Sequence, residues 1–264
     1  MDFTKMHGLG NDYIFLNCMR SAPDDPGELA RRLSHRRFGV GGDGIICVCP
    51  SRRADFKMRM FNADGSEGAM CGNGIRCFGK YVYDKGLTDK THLTIETLSG
   101  DRELSLMIEN GRVEGAVVGM GVPVLRPCIQ ITVKENAYTV FPVSVGNPHA
   151  VIEVEDPAVL DLQTVGPAVE GHPLFPHRVN AEFVRVLNRC ELQMRVWERG
   201  SGETMACGTG ACASAAAMMD AGRLDREAVV HLAGGELKVR WDKKSGQMFM
   251  SGPAVTVFDG ELAD

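Results

Sequence analysis

Two cysteines of the 264-residue chain stand in matching local sequences. Cys71 and Cys207 are each followed by Gly-x-Gly and a run of small or apolar residues, and each has a glutamate four residues earlier, Glu67 or Glu203. The pattern predicts a helix that begins just after each cysteine. A thiol at a helix N-terminus lies among unpaired backbone N–H groups and the positive end of the helix dipole, which lowers its pKa from about 8.5.

A pair of such thiols could invert a carbon centre. One thiolate takes a proton from one face of the carbon, and the other sulfur, as a thiol, delivers a proton to the opposite face. The glycines let a substrate carboxylate approach the helix N–H groups, which stabilise the charge that develops as the proton leaves. The hypothesis therefore predicts a small amino-acid substrate in a cleft between two domains, and no pyridoxal phosphate.

The elements that must position these cysteines are mostly short strands. Runs rich in Val, Ile, Phe and Thr alternate with Gly, Asn, Asp and Pro, which predicts strands and turns. Two further helices are predicted at Pro26–His35 and Asp161–Val169. This mixture favours an α+β fold with mainly antiparallel sheets over repeated βαβ units.

The offset of 136 residues between the two cysteines is about half the chain length. An internal duplication that gives two similar domains explains it. We expect one domain over residues 1–119, with Cys71, and a second over 120–252, with Cys207. We expect the C-terminal segment, about residues 253–264, to pack on the first domain.

Composition and charge exclude several classes of protein. The net charge of −5 argues against a nucleic-acid partner, since phosphate binding needs concentrated Lys and Arg. No apolar run approaches the roughly 18 residues of a membrane span, and no signal-peptide stretch is visible. The nine cysteines are an odd, scattered set without a metal-binding spacing, which predicts reduced thiols, no metal site and a cytoplasmic location.

Three glycine patterns suggest nucleotide binding but lack its context. The segment from Gly39 to Gly44 fits GxGxxG, yet a strand rather than a helix follows it. Gly208-Thr-Gly210 opens a helix, but a polar loop precedes it. Gly74-x4-Gly79-Lys80 is followed by Tyr81 rather than Ser or Thr, and the pattern lies inside the first cysteine helix.

Five motifs, in consistent order from Met1 to about Gly252, resemble those of the diaminopimelate epimerase family. They are His7-Gly-Leu-Gly-Asn11-Asp-Tyr, Phe61-Asn62 leading to Cys71-Gly72-Asn73-Gly74, Gly146-Asn147-Pro148-His149, Val179-Asn180-Ala-Glu-Phe, and Glu198-Arg199-Gly leading to Cys207-Gly208-Thr209-Gly210. The resemblance implies cofactor-independent interconversion of LL- and meso-2,6-diaminopimelate. It also implies two pseudo-symmetric domains, each a mainly antiparallel sheet or barrel wrapped around a central helix, in a cytoplasmic homodimer.

The resemblance also assigns the site residues. Cys71 is implied as proton donor and Cys207 as acceptor in one direction, with the roles exchanged in the other, and His149 and Glu198 as groups that tune the thiols. The implied substrate-binding residues are Asn11, Asn62, Gly72, Asn73, Asn147, Asn180, Glu198, Arg199, Gly208 and Thr209. One departure is Gly44, where some members of the family carry a substrate-contacting Gln.

The types of these residues suit a substrate that is a zwitterion at both ends. Arg199 can fork onto a carboxylate, and asparagines can donate to a carboxylate and accept from an ammonium group. A racemase of another amino acid, an isomerase or dehydratase of the same fold, a dinucleotide-dependent oxidoreductase and a non-catalytic amino-acid binder remain alternatives. We expect Glu67 and Glu203 to complete capping hydrogen bonds near the helix starts, and Cys77 and Cys212 to be packing residues.

Overall fold

The computed structural model describes residues 1–262, which separate into two compact units. The first unit contains Met1–Val118 and the segment that starts at Gly252, and the second contains Gly119–Ser251. The first unit is therefore discontinuous in sequence. Each unit contains one of the two cysteines. No helix among the described residues is long and apolar enough to cross a membrane.

The first unit contains two helices, α1 (Pro26–Ser34) and α2 (Gly72–Asp84). Its strands before the chain passes into the second unit are β1 (Asp2–Gly8), β2 (Asn11–Asn17), β3 (Gly44–Cys49), β4 (Phe56–Asn62), β5 (Glu67–Gly68), β6 (His92–Thr97), β7 (Gly100–Glu109) and β8 (Arg112–Gly121), the last of which runs across the boundary.

The second unit contains α3 (Leu162–Glu170), α4 (Gly208–Asp220) and a 3-10 turn at Pro157–Val159. Its strands are β9 (Val124–Leu125), β10 (Ile129–Val133), β11 (Asn136–Ser144), β12 (Pro148–Glu153), β13 (Asn180–Asn188), β14 (Glu191–Glu198), β15 (Gly202–Thr204), β16 (Glu227–Leu232), β17 (Gly235–Trp241) and β18 (Met248–Pro253). The chain returns to the first unit at Gly252, within β18, and β19 (Val255–Glu261) follows there.

The two units repeat one plan of strand pairing. In the first unit β1–β2, β3–β4, β4–β5, β6–β7 and β7–β8 are antiparallel, whereas β2–β3 and β4–β6 are parallel. The second unit repeats every pairing with β11 to β18 in place of β1 to β8. In addition, β19 pairs with β1 as β10 pairs with β11.

The cysteine offset of 136 residues recurs at several elements of the repeat. The starts of α1 and α3, α2 and α4, β3 and β13, and β8 and β18 are each separated by this number. In β2 and β3 the strand register also places the counterpart of a residue 136 positions later, whereas the starts of β4, β6 and β7 are offset by 135.

The helix that follows each cysteine lies at the core of its unit. In α2, Ile75, Phe78 and Val82 are completely buried, and the helix contacts β1, β2, β3 and β7. The residues of α4 are mostly Ala, Ser, Cys and Met, nearly all buried, and this helix contacts β11, β12, β13, β14, β16 and β17. Small side chains allow strands to approach a helix on several sides. The predicted α+β class, with a mainly antiparallel sheet around a central helix in each unit, is confirmed.

The local sequences account for these elements. β3 has the sequence GIICVC and is buried at every position, whereas β6 alternates between buried and more exposed residues. Asp25 caps α1 by accepting a hydrogen bond from the Glu28 N–H. The predicted helix at Pro26–His35 differs from α1 by one residue at its C-terminal end, and the one at Asp161–Val169 differs from α3 by one residue at each end. Five strands were not predicted: β1, β5, β9, β15 and β19.

Candidate active site

Cys71 caps the N-terminus of α2, where the backbone and an asparagine hold its sulfur. The Gly74 N–H donates to the Cys71 Sγ at 3.3 Å, and the thiol donates to the Asn11 Oδ1 at 3.2 Å. The Asn73 Nδ2 lies 3.4 Å from the same oxygen. The Asn11 amide nitrogen donates in turn to the Asp43 Oδ2 at 2.5 Å. The structure thus brings Cys71, Asn11 and Asn73 into one hydrogen-bonded group that Asp43 orients.

Two further side chains adjoin this group. Tyr13 on β2 is 5% exposed, and its phenol hydrogen-bonds to the side chains of Cys71 and Asn11. Burial raises the pKa of Tyr13 well above its usual value, and the neighbouring Cys71 adds to the effect. Arg76 in α2 is completely buried and donates to the Gly72 carbonyl at 3.0 Å and the Asn73 Oδ1 at 3.1 Å. A permanent cation therefore supports the backbone that follows Cys71.

Cys207 caps α4 in the same way. The Gly210 N–H donates to the Cys207 Sγ at 3.4 Å, and the Thr209 Oγ1 lies 3.5 Å from it. Burial raises the pKa of the Cys207 thiol well above its usual value, and the carboxylates of Glu198 and Glu182 raise it further, against the hydrogen bonds from Thr209 and Gly210. This shift keeps the sulfur protonated at neutral pH.

Glu198 at the end of β14 is in direct contact with this thiol. Its Oε1 accepts from the Thr204 hydroxyl at 2.5 Å, and its carboxyl hydrogen-bonds to the Cys207 side chain. Burial raises the pKa of Glu198, although both hydrogen bonds lower it in part. The pair of Glu198 and Cys207 can therefore share a proton.

His149 is part of a hydrogen-bonded chain that ends at the start of α4. Its Nδ1 lies 2.6 Å from the Glu182 Oε1, and its Nε2 lies 3.0 Å from the Asn147 Oδ1. The Asn147 amide nitrogen donates to the Thr209 Oγ1 at 3.4 Å. His149 thus reaches the Cys207 end of α4 through Asn147 and Thr209.

Arg199 follows β14 in a loop that an asparagine holds. Its backbone N–H donates to the Asn180 Oδ1 at 2.8 Å, and its Nη1 donates to the His177 carbonyl at 3.2 Å. The side chain is exposed, and no carboxylate within residues 1–262 forms an ion pair with it. The guanidinium can therefore bind an external carboxylate.

Asn62 occupies the position in the first unit that Glu198 occupies in the second. Its amide nitrogen donates to the Ser66 Oγ at 3.0 Å rather than to a member of the Cys71 group. The expectation that Glu67 and Glu203 complete helix caps is wrong. Glu67 forms an ion pair with Arg59 and Glu203 one with Arg195, each at 2.8 Å, because the short strands β5 and β15 place them beside these arginines.

The buried positions of Cys77 and Cys212 inside the helices agree with the prediction that they are packing residues. Gly44 lies so close to the Phe61 carbonyl of the neighbouring strand that a side chain would require the backbone to shift. Over the described part of the chain, no group of His, Cys, Asp and Glu residues is arranged to hold a metal ion.

The family model described as diaminopimelate epimerase matches residues 3–126 and 141–257. The chain belongs to the diaminopimelate epimerase family. This result confirms the resemblance deduced from the five motifs, and it covers both cysteines and all the predicted site residues.

Individual relatives support the family assignment. The chain is 50% identical to a protein named diaminopimelate epimerase from Acetivibrio thermocellus, over 99% of this chain and 98% of the relative. It is 52% identical to a protein of the same name from Moorella thermoacetica, over 99% of each. Among solved structures, a phenazine biosynthesis protein of the PhzF family from Bacillus anthracis is similar with a TM-score of 0.76 at 18% identity, over 100% of this chain and 99% of that one. This last likeness shows the fold alone.

Four side chains around the two cysteines were not predicted from the sequence: Tyr13, Asp43, Arg76 and Glu182. Two of them, Tyr13 and Glu182, lie within the motifs quoted above. Tyr13 is the counterpart of His149 at the offset of 136, and Glu182 lies within the quoted Asn-Ala-Glu-Phe motif. No sequence signal indicates the roles of Asp43 and Arg76, because their contacts depend on how the strands and α2 pack.

Proposed function

We propose that this protein interconverts LL- and meso-2,6-diaminopimelate by a cofactor-independent, two-thiol reaction. Family membership and two relatives with that name, about half identical over nearly the whole chain, support the substrate. The observation that carries the mechanism is the repeated cysteine cap. Two sulfurs occupy the same position of the repeat, each with a backbone N–H from the second glycine after it.

The proposed reaction begins when one sulfur, as a thiolate, removes the α-proton of the substrate. The helix N–H groups of Gly72, Asn73, Gly208 and Thr209 bind the adjacent carboxylate and stabilise the charge that spreads into it. The other sulfur, as a thiol, gives its proton to the opposite face. In the direction where Cys207 accepts the proton, the substrate ammonium groups would offset the negative charges that otherwise keep this thiol protonated.

The distal half of diaminopimelate is a second zwitterion, and we assign its recognition to the remaining polar residues. Arg199 binds the distal carboxylate, and the carbonyl oxygens of the asparagines and the Glu198 carboxyl accept from ammonium groups. The predicted set is Asn11, Asn62, Asn147, Asn180, Glu198 and Arg199. A racemase of a simple amino acid has no distal zwitterion to bind.

An epimerisation assay with LL-diaminopimelate tests the proposal directly. We expect the wild-type protein to form the meso isomer, and Cys71→Ala and Cys207→Ala each to abolish the reaction. Cys77→Ala and Cys212→Ala, which remove buried thiols from the same two helices, are the matched controls and should largely keep it. An active, folded Cys71→Ala enzyme would exclude the two-thiol mechanism.

Incorporation of hydrogen isotope into the product distinguishes a two-base mechanism from a one-base mechanism. When a protiated stereoisomer reacts in deuterated water, the opposite sulfur supplies solvent deuterium, so the product should contain deuterium from the first turnovers. The remaining substrate should stay protiated early on, since a monoprotic, shielded thiol tends to return the same proton. Mass spectrometry of early product that still contains the substrate hydrogen would contradict an opposed pair.

We further propose that the two units correspond to the predicted domains, residues 1–119 and 120–252, and that the protein is a cytoplasmic homodimer. β19 supports the dimer, because its Val257 and Phe258 are 53% and 45% exposed although both are apolar. A reducing compartment suits a reaction that needs free thiols. Sedimentation at micromolar concentration tests the dimer, and a monomer would contradict it.

A further inference from the structure

Glu182 is a buried carboxylate for which the proposed reaction has no role. Its side chain is completely buried on β13, its Oε1 contacts the His149 Nδ1 at 2.6 Å, and its Oε2 has no hydrogen-bond partner in the described chain. A buried carboxylate oxygen without a partner is costly. A role in the stability of the fold is therefore a poor explanation for this residue.

The repeat provides a comparison within the molecule. The counterpart of Glu182 in the first unit is Ile46, and the counterpart of His149 is Tyr13. Both positions pack against the second glycine of their cysteine helix. A Cβ added at Gly74 would lie 2.7 Å from the Ile46 Cδ1, and one at Gly210 would lie 2.7 Å from the Glu182 Oε1. The same plan therefore folds with an aliphatic side chain at this position, so the fold itself does not require an acid.

The hydrogen bonds of His149 define where its protons lie. The Asn147 Oδ1 can only accept, so the His149 Nε2 must carry a hydrogen, and the Asn147 amide nitrogen is directed to Thr209. On the other side of the ring, the His149 Nδ1 lies 2.6 Å from the Glu182 Oε1, and an ionised carboxylate can only accept there. Both ring nitrogens therefore face acceptors, which is the arrangement that an imidazolium ion requires.

The negative charges around the pair of Glu182 and His149 explain why a positive charge on His149 would assist the reaction at Cys207. The titratable groups that face it are the Glu198 carboxyl from β14 and the Cys207 thiol at the start of α4. When Cys207 becomes a thiolate, its charge adds to those of Glu198 and Glu182. An imidazolium within the same buried group offsets part of this repulsion.

We propose that Glu182 is a positioning residue that keeps His149 protonated on both ring nitrogens, so that a positive charge stays close to Cys207 while a proton moves on or off its sulfur. This inference rests on the proposed function, because it assigns Glu182 a part in the same proton transfer. Glu182 does not touch the substrate in this scheme, and it acts through His149.

Glu182→Gln keeps the shape of the side chain and removes its charge. We expect kcat at neutral pH to fall roughly 10- to 100-fold with little change in KM. Lower pH should restore part of the loss, because a buried imidazolium without its carboxylate holds its second proton only when protons are more abundant. The control is Glu153→Gln, which removes a carboxylate that pairs with Arg223 elsewhere in the same unit. It should keep the wild-type kcat and pH profile.

A second measurement detects the protonation of the His149 ring directly and does not depend on the substrate. The nitrogen NMR shifts of His149, assigned by their loss in His149→Gln, should report two protonated nitrogens in the wild type and a neutral ring in Glu182→Gln at neutral pH. An unchanged kcat and pH profile in folded Glu182→Gln, or a neutral His149 in the wild type, would overturn the inference. A wild-type protein that does not epimerise diaminopimelate while His149 is doubly protonated would overturn the proposed function and leave the Glu182–His149 pair established.

Discussion

Cys71 and Cys207 share one backbone position, but the side chains around them carry different charge. Cys71 adjoins the neutral Asn11 and Tyr13, with the Arg76 cation in the same helix. Cys207 adjoins two carboxyl groups, and its pKa is raised well above the usual value by burial and by those groups. The repeated backbone thus supplies the same N–H donors to both sulfurs, whereas the side chains give each sulfur a different electrostatic environment. The proposed reaction, in which one thiol is the acid and the other thiolate is the base, needs such a difference.

Tyr13→Phe tests the surroundings of Cys71 in the first unit. The change removes one hydroxyl that bonds to the sulfur, and we expect kcat to fall about 2- to 10-fold, which corresponds to the loss of one neutral hydrogen bond. Steady-state kinetics checks this expectation. Tyr81→Phe, which removes the hydroxyl of a ring stacked on Phe15 in the same unit, is the control and should leave kcat unchanged. Equal effects of the two changes would argue against a role for Tyr13 at Cys71.

At the scale of elements, local sequence signals were sufficient to predict the helices and the position of the cysteines at their starts. The Cys-Gly-x-Gly sequence predicts a helix start, and α2 and α4 begin at Gly72 and Gly208. β1 and β19 were missed because each is defined largely by its partner strand. Thr4 on β1 lies opposite Asp259 on β19, 255 positions away, and no local pattern encodes such a contact. The pairing of His149 with Glu182 has the same origin, since adjacent parallel strands bring the two side chains together.

The second glycine of each cysteine helix provides a prediction for α2 and α4. Gly74→Ala should cost roughly 1–3 kcal/mol in the free energy of unfolding, because its Cβ meets the movable end of Ile46. Gly210→Ala should lower kcat much more, because its Cβ displaces the Glu182 carboxylate from His149. Urea unfolding and kinetics measure the two effects.

Gly171→Ala, at the end of α3, is the control for these glycines. Its Cβ would have its nearest neighbour at an ordinary 3.4 Å, so both stability and kcat should stay close to wild type. A Gly210→Ala enzyme with full activity would mean that the position of Glu182 does not matter.

At the scale of the whole molecule, buried thiols make the free energy of unfolding fall at alkaline pH. Burial raises the pKa of Cys77 to about 12. Below the unfolded value of about 8.5 the thiol is protonated in both states, and its stabilising effect is complete. As pH rises above that value the unfolded chain loses the proton first. The free energy of unfolding then falls by about 1.4 kcal/mol per pH unit for such a thiol, up to its folded pKa.

Urea unfolding measured from about pH 8 to pH 11 tests this expectation. The Cys77→Ala variant should lose stability less steeply with pH than the wild type does. Cys128→Ala removes an exposed thiol and should keep the wild-type slope. Identical slopes in the wild type and in Cys77→Ala would show that Cys77 ionises equally in the folded and unfolded chains.

The pairing of β1 with β19, from Asp2 opposite Glu261 to His7 opposite Val255, affects how the protein folds during synthesis. A ribosome makes β1 before the second unit, and the whole second unit emerges before β19 does. The second unit, continuous in sequence, can therefore fold while β1 still lacks this neighbour and offers an unpaired edge to other chains. Of the two units, the one whose synthesis starts earlier is therefore the one that is completed later.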